Sequence, residues 1–473
     1  MHGLRKLAAS AFCISLGMGV FACGDDDDNP GTGGTSGAGG STGGTGGGTG
    51  GTGGGTGGTG GGAGGTGGSD GSGGTTGSGG SAGATGCDLS GADKPKMEIP
   101  RPTGNLTLTS NTVWTLSDET HVASGETLTI EPCTRIEGTT TPLGTLVVER
   151  GGRIVADGTR DEPILFTSAG VREAGAWGGV ILLGSAPNWQ GADVQIEGLQ
   201  PGPGTQYGGT DPAYNCGSMK FVRIEFTGFE ISPGNEINGL TMGSCGSGTV
   251  IENVMVNTTL DDCFEWFGGG FTSKNLVCNN GGDDMFDADQ GFVGTIENAF
   301  GRQVVQDSED PNGFEMDSHT DNREPFTNVT ATNVTMCGVA GGLSTSRGMV
   351  LRESLRGAFD NIVVVGFDVG VDTRDDFGTP DAPHVTIMNS VFFGNVAHNV
   401  GNAGETDNDL GFDENLWFPG AESLNNSTAS PGFLAADCLA EAGPAASVMS
   451  SGKGAFAADQ TWMSGLWIDW ATE

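Results

Sequence analysis

Basic side chains are scarce in this 473-residue chain: 20 Lys and Arg stand against 58 Asp and Glu, a formal net charge of −38. So large an acidic excess excludes nucleic acid and anionic headgroups as partners, because both are held mainly through Lys and Arg on phosphate. It admits cations, Ca²⁺ above all, and neutral or cationic ligands. Histidine is nearly as rare, with 5 in the chain, and no CxxC or Cys/His spacing points to zinc. The histidines also form no pattern that would support a cysteine nucleophile. Gly-Gly pairs such as Gly268-Gly269 suit tight turns, and no nucleotide fingerprint accompanies them. Long apolar runs are missing too. The best of them, Leu7 to Phe21, has fifteen residues, where a spanning helix needs about 20. Helical periodicity is absent throughout.

That short run follows Arg5 and Lys6 and reads as a secretory signal. It ends in Val20-Phe21-Ala22-Cys23-Gly24, which resembles the lipobox of bacterial lipoproteins. The resemblance implies a signal peptide over 1–22 and a lipid-bearing Cys23 whose acyl chains, palmitate among them, hold the chain to a membrane. The expected location is therefore the cell envelope, lipid-anchored at the outer membrane or cell surface. Residues 23–86 continue with Asp25-Asp26-Asp27-Asp28 and then Gly/Thr/Ser repeats. With almost no apolar side chain, this segment cannot offset the entropy of ordering. A Gly-rich coil of roughly 60 residues has a typical reach of about 40–45 Å, so it reads as a flexible tether for a domain at 87–473.

The mature chain keeps eight cysteines besides Cys23: Cys87, Cys133, Cys216, Cys245, Cys263, Cys278, Cys337 and Cys438. An even count in an exported protein favours disulfides, although the pairing is not readable from sequence. Cys216 and Cys245 bracket one Gly-rich excursion and form the best single pair.

An irregular repeat with a minimum period of about 22 residues runs through the domain. Its mark is an Asn before an apolar strand, at Asn253, Asn275, Asn298, Asn333, Asn361 and Asn389. Ten to sixteen residues after each Asn comes a second short strand, as in Phe264–Phe267, Phe286–Asp289, Phe314–Asp317, Met349–Arg352 and Val371–Arg374. Short strands, polar turns and a fixed minimum period define a solenoid, here an all-β, right-handed parallel β-helix with a C-terminal capping segment. Parallel strands stack about 4.8 Å apart, so recurrent Asn at a bend can form a ladder of amide hydrogen bonds. The stretches Thr127–Ile136, Gly151–Gly158, Pro163–Ser168, Trp177–Leu183, Phe221–Phe226 and Asp261–Gly269 resemble right-handed β-helix repeat proteins of bacterial surfaces, many of them lipoproteins. That resemblance implies architecture and says little of activity. One departure is Cys133, where the family usually has Gly, which implies a turn tied by a disulfide.

Alternation sends Phe264 and Trp266 inward and Glu265 and Phe267 outward. Coil by coil, one outward column reads Glu265, Asp287, Glu315, Val350, Asp372, and its neighbour Phe267, Asp289, Asp317, Arg352, Arg374. Asp261-Asp262 and Asp283-Asp284 precede two of these strands, and Asp307, Glu309, Asp310 and Asp321 lie near a third. One reading is a solvated acidic face. Another is a Ca²⁺ site drawing on Asp261, Asp262, Asp283, Asp284, Asp287, Asp289, Glu315 and Asp317, since oxygen ligands suit that ion. A third is a catalytic groove. A polysaccharide lyase would use Arg347, Arg352, Arg356 or Arg374 as base or uronate clamp. A glycoside hydrolase would pair carboxylates such as Glu265, Asp287 and Glu315, which must stand about 6.5–9.5 Å apart for inversion. The arginines also stand where they can pair with Glu353, Asp375 and Asp376, and Trp189, Tyr207 and Phe267 are candidates for stacking on sugar rings. Two functions are carried forward. The first is a surface lipoprotein whose β-helix binds glycan, matrix or protein; the second is a polysaccharide-degrading enzyme, lyase before hydrolase.

Overall fold

The computed structural model describes residues 87–473 except 102, 233, 305–310, 322, 340–344, 380–381, 400–408, 413, 419–423 and 472–473. The signal peptide, Cys23 and the tether lie outside the described residues, as do Asp307, Glu309 and Asp310. Among the described residues no helix is long and apolar enough to cross a membrane.

The chain winds into a β-helix with three parallel faces. The first face contains Leu106–Leu108, Thr127–Ile130 and Arg153–Asp157, and the second contains Val113–Leu116, Arg135–Gly138 and Ile164–Ser168. Further along, the two faces are joined into single long bent strands, Gly217–Thr227, Val250–Thr259, Thr272–Asn279, Val293–Arg302, Asn328–Cys337 and Arg356–Val365. The third face stacks ten strands, from Glu119–Val122 through Leu240–Gly243, Phe264–Phe267, Phe286–Asp289, Phe314–Met316, Met349–Leu351 and Val369–Thr373 to Ala397–Asn399.

The repeated Asn makes the bend between the first two faces. Asn253, Asn275, Asn298, Asn333 and Asn361 all sit at φ between 56° and 60°, a left-handed conformation that Asn tolerates better than most residues. Their amides bond coil to coil, Asn275 donating to Asn253 at 3.4 Å, Asn298 to Asn275 at 3.2 Å, Asn333 to Asn298 at 3.1 Å and Asn361 to Asn333 at 2.8 Å. At the next coil the ladder steps aside, since Asn389 donates to Asp360 at 2.7 Å and itself accepts from Asn425 at 3.0 Å. One turn before the ladder begins, Phe221 takes the same conformation at φ 49°.

Alternation fills the interior. Phe264, Phe286 and Phe314 stack at ring distances of 5.7 and 5.6 Å, and Trp266 lies against Phe292 at 5.7 Å. All are fully buried, and each such side chain contributes about 1.5–3 kcal/mol through removal from water. Four disulfides form: Cys87–Cys133, Cys216–Cys245, Cys263–Cys278 and Cys337–Cys438. The second ties the excursion that its two cysteines bracket, and the first ties the turn at Cys133.

The expected C-terminal cap has two parts. Glu414–Trp417 is a short helix beside the last coils, with Phe377 against Phe412 and Trp417. The remaining tail runs back along the outside of the second face. There the outward residues Met255, Val277, Phe300, Val363 and Val365 are apolar and are covered by Phe433, Val448, Phe456, Trp462 and Trp467 of the tail. Arg302 fastens it, donating to the carbonyls of Cys438 at 3.1 Å and Ala440 at 2.6 Å, and Arg223 reaches the Leu466 carbonyl at 3.1 Å. The tail also carries two one-turn helices, Ala435–Cys438 and Ala446–Met449, too short to show a helical periodicity in the sequence.

Candidate functional site

The acidic columns fall on the outside of the third face. Register pairs Thr241 with Glu265, Glu265 with Asp287, Asp287 with Glu315, Glu315 with Val350 and Val350 with Asp372. Phe267 pairs with Asp289 in the neighbouring column, and Asp317, Arg352 and Arg374 follow on the succeeding coils. The columns are not a solvated face. Glu265, Asp289 and Asp372 are only 5–6 % exposed and Asp287, Glu315 and Asp317 are half-buried, while Asp262 and Asp284 of the turn before the strands are also buried. The cause is the excursion between the strands Val180–Leu183 and Gly217–Thr227, which folds over this face. Beneath it Val147, Ile181 and Leu183 pack with Ile196, Tyr207 and Phe267. Tyr207 and Phe267 are therefore buried, Tyr207 donating to Gln290, and do not present rings to a sugar. Trp189 is half-buried, with His319 at its edge at 4.3 Å and Arg323 over its ring at 5.4 Å.

A second ladder, not anticipated from the sequence, runs along the turn before these strands. Asn238 accepts from the Asp262 amide at 3.2 Å, Asp262 from Asp284 at 2.8 Å, Asp284 from Asn312 at 3.0 Å and Asn312 from Arg347 at 3.0 Å. Asp262 and Asp284 thus occupy positions that hold Asn in the flanking coils. The readable signal was a polar residue two before each strand, in Asn238-Gly-Leu, Asp262-Cys-Phe, Asp284-Met-Phe and Asn312-Gly-Phe.

The arginines reach across coils. Arg352 pairs with Glu315 and Asp317, both at 2.6 Å, while Arg347 and Arg374 meet Asp372 at 3.1 Å. The sequence spacing also offers Glu353, Asp375 and Asp376 as partners, but Arg352 follows the column register, which stacks it beside Asp317. Arg356 is not in the group. It opens a first-face strand, donates to the Ser354 carbonyl at 2.6 Å and covers Phe326 at 4.4 Å.

Burial and then the neighbouring carboxylates push Asp262, Glu265, Asp284 and Asp287 well above the ordinary carboxylate range. Glu353 is pushed up to about 7 by burial and then by Asp317. Burial opposes the charge on Arg352, but Asp317 and Glu315 outweigh it and hold the guanidinium charged. Such a cluster retains protons unless a cation compensates its charge. Two groups have one oxygen each within 4.8 Å of the others: Asp261, Asp262 and Asp283; and Asp262, Glu265 and Asp287. Glu265, a candidate for a catalytic carboxylate, stands in a metal-competent group with Asp262 and Asp287. Asp284, Asp289, Glu315 and Asp317, expected as ligands, fall outside both groups, which cover the described residues. Glu315 and Asp317 are taken up by Arg352, and Asp284 serves the turn ladder. Asp321 is exposed and pairs with Arg323 at 3.2 Å.

Three parallel faces, an Asn bend and a wholly local register define a three-sided parallel β-helix protein. The chain belongs to the family of the pectate-lyase-like beta helix domain, whose model matches residues 101–466. No curated protein matches it. Among solved structures it is similar to PfbA, a surface adhesin of Streptococcus pneumoniae, at 10% identity and a TM-score of 0.27, covering 66% of this chain and 74% of that one. It is also similar to the catalytic unit of a GH87 alpha-1,3-glucanase from Streptomyces thermodiastaticus, at 11% identity and a TM-score of 0.27, covering 65% and 63%. A third is tailspike protein 2 of the Escherichia coli O157:H7 bacteriophage CAB120, at 16% identity and a TM-score of 0.21, covering 63% and 36%. Likenesses this distant carry no argument about what this chain does.

Proposed function

We propose that this chain is a cell-envelope lipoprotein, anchored through Cys23 at the outer membrane or cell surface, that presents its β-helix on the 23–86 tether to bind a glycan, matrix or protein ligand. One observation carries the choice of binding over catalysis. The cationic groups of the third face are bound to carboxylates, Arg352 to Glu315 and Asp317 and both Arg347 and Arg374 to Asp372. A lyase needs its cations for the substrate carboxylate, and these would have to be released first at the cost of leaving buried charges unpaired. A hard cation of the calcium type is the cofactor this reading carries, because the acidic groups offer oxygen ligands only.

Buried carboxylates with raised affinity for protons are also what active sites contain, which keeps polysaccharide cleavage as the second reading. Incubating the purified full-length chain with uronate and neutral polysaccharides separates the two. The expected result is saturable binding to one of them with no unsaturated product and no new reducing ends. Sustained product formation that Arg352→Ala abolishes would overturn the binding reading. Anchoring has its own test: Cys23→Ser should release the protein from the membrane fraction or leave its signal uncleaved, and continued lipid labelling of that variant would remove Cys23 from the account.

A further inference from the structure

Donors along the turn ladder serve the carboxylate column beside it, Asn238 and Arg347 on the following coil and Asn312 on its own coil, and leave one break. Asn238, Asp262, Asp284 and Asn312 each spend one side-chain oxygen on the next coil's amide, as given above, and Arg347 ends the ladder with its backbone amide. Where the ladder residue also has a side-chain donor, the column carboxylate is satisfied. The Asn238 amide donates to Glu265, the Asn312 amide donates to Glu315 at 3.1 Å, and the Arg347 guanidinium donates to Asp372 at 3.1 Å. Between Asn238 and Arg347 the remaining column member is Asp287, flanked by Asp262 and Asp284. Both are ladder residues without a donor to give. Asp287 Oδ1 is sealed from solvent and accepts no hydrogen bond. Orphaning a buried charged acceptor costs more than losing the bond itself, so the break needs a positive occupant.

We infer that the break is a cation site: one hard divalent cation, of the Ca²⁺ class, held by Asp262, Glu265 and Asp287 and confined to these coils by the amides of Asn238 and Asn312. The inference rests on the calcium part of the proposed function and locates it. Three observations support a metal. An oxygen from each of the three residues lies within 4.8 Å of the other two. All the donors are carboxylate oxygens, which suit calcium and not a nitrogen- or sulfur-seeking ion. The register of the β-helix fixes their spacing, so the site is preorganised. Glu197, on the covering excursion, stands beside Glu265 and adds negative charge from above. The flanking amides explain why the site does not spread along the face. Asn238 and Asn312 do with an N–H what the cation does at Asp287.

The test uses the purified full-length chain, stripped with chelator and titrated with CaCl₂ and, separately, MgCl₂, with binding followed by calorimetry and stability by thermal melting. The expected result is one saturable high-affinity calcium per chain and a melting temperature raised by a few degrees, through preferential binding to the folded state. Asp262→Asn keeps the ladder acceptor and supplies the missing N–H. It should fold without calcium, melt higher than the parent in chelator and lose the calcium response. Asp287→Asn removes the orphaned acceptor and should also lose the response. Monovalent salt at equal ionic strength should not reproduce it. A parent chain that binds no divalent cation, yet gains stability on acidification that Asp262→Asn abolishes, would show that protons alone fill the break and would overturn the inference. Calcium binding undiminished in Asp262→Asn would place the ion elsewhere and overturn it as well. Neither outcome touches the polysaccharide assay, so the binding reading stands or falls separately.

Discussion

The second and third faces share one core, one register and one strand spacing, yet their outer surfaces are opposites. The second face turns Met255, Val277, Phe300, Val363 and Val365 outward and needs a cover of its own kind, which the C-terminal tail supplies with Phe456, Trp462 and Trp467. The third turns Glu265, Asp287, Glu315 and Asp372 outward, and donors, arginine or amide, meet Glu265, Glu315 and Asp372. A solenoid fixes where outward side chains stand and leaves their chemistry open. The apolar surface is satisfied by any well-fitting partner, whereas each carboxylate must meet a particular donor. Function is therefore expected on the third face and fold stability on the second.

The comparison breaks most severely at Trp467, which is fully buried between tail and body. Trp467→Ala should cost about 3–5 kcal/mol, read as a lower denaturant midpoint, and the loss should be the same at pH 5 and pH 8 because no charge is involved. Arg352→Ala is its counterpart on the third face. It leaves Glu315 and Asp317 without their cation and should cost about 3–5 kcal/mol near neutrality. Here the loss should shrink toward pH 4 as the abandoned carboxylates take up protons, so a pH-independent loss would contradict the ionic account.

Glu414 sharpens the contrast at the end of the third face. Burial pushes its carboxyl up to about 7, while Thr373 donates to it at 2.5 Å. A carboxyl whose folded value lies above its unfolded one binds more protons when folded, so its contribution is present at low pH and lost as pH rises from about 4.5 to 7. Comparing melting curves of the parent and Glu414→Gln across that window should show the parent losing up to about 3 kcal/mol more. Parallel curves would show that burial does not govern this group. The smallest effect belongs to the bend between the first two faces. Asn298→Ala should cost about 1–3 kcal/mol, through two lost ladder bonds and a left-handed backbone that Ala adopts poorly. Asn298→Gly should recover part of it, and equal losses for both would remove the backbone share.

How much of this was legible depends on how far apart the interacting residues lie in the repeat. The Asn bend could be read because its cause is local: one left-handed residue per coil, followed by an apolar strand, repeated at a spacing that stacking turns into contact. The carboxylate columns followed from the same register. The turn ladder is equally local, and its signal lies in Asn238, Asp262, Asp284 and Asn312, a polar residue two before each strand. Arg352 beside Asp317 followed from the column register as well, whereas Glu315, in the adjacent column, could not be assigned to Arg352 because at a separation of 37 residues the sequence offers nearer acids of equal merit.

By itself, then, the sequence determined the solenoid, its period, the inward aromatic stacks and the alignment of acids on one outer face, since each follows from alternation and a repeat. Tertiary structure alone decided that Glu265, Asp289 and Asp372 are buried and the other acids of that face half-buried, that Tyr207 and Phe267 are core residues and that the tail belongs along the second face. An excursion of some thirty residues and a tail return from outside the repeat, and no periodicity says which face they will cover. Their placement follows from surface complementarity, apolar against apolar and donor against acceptor, which exists only once the coils have stacked.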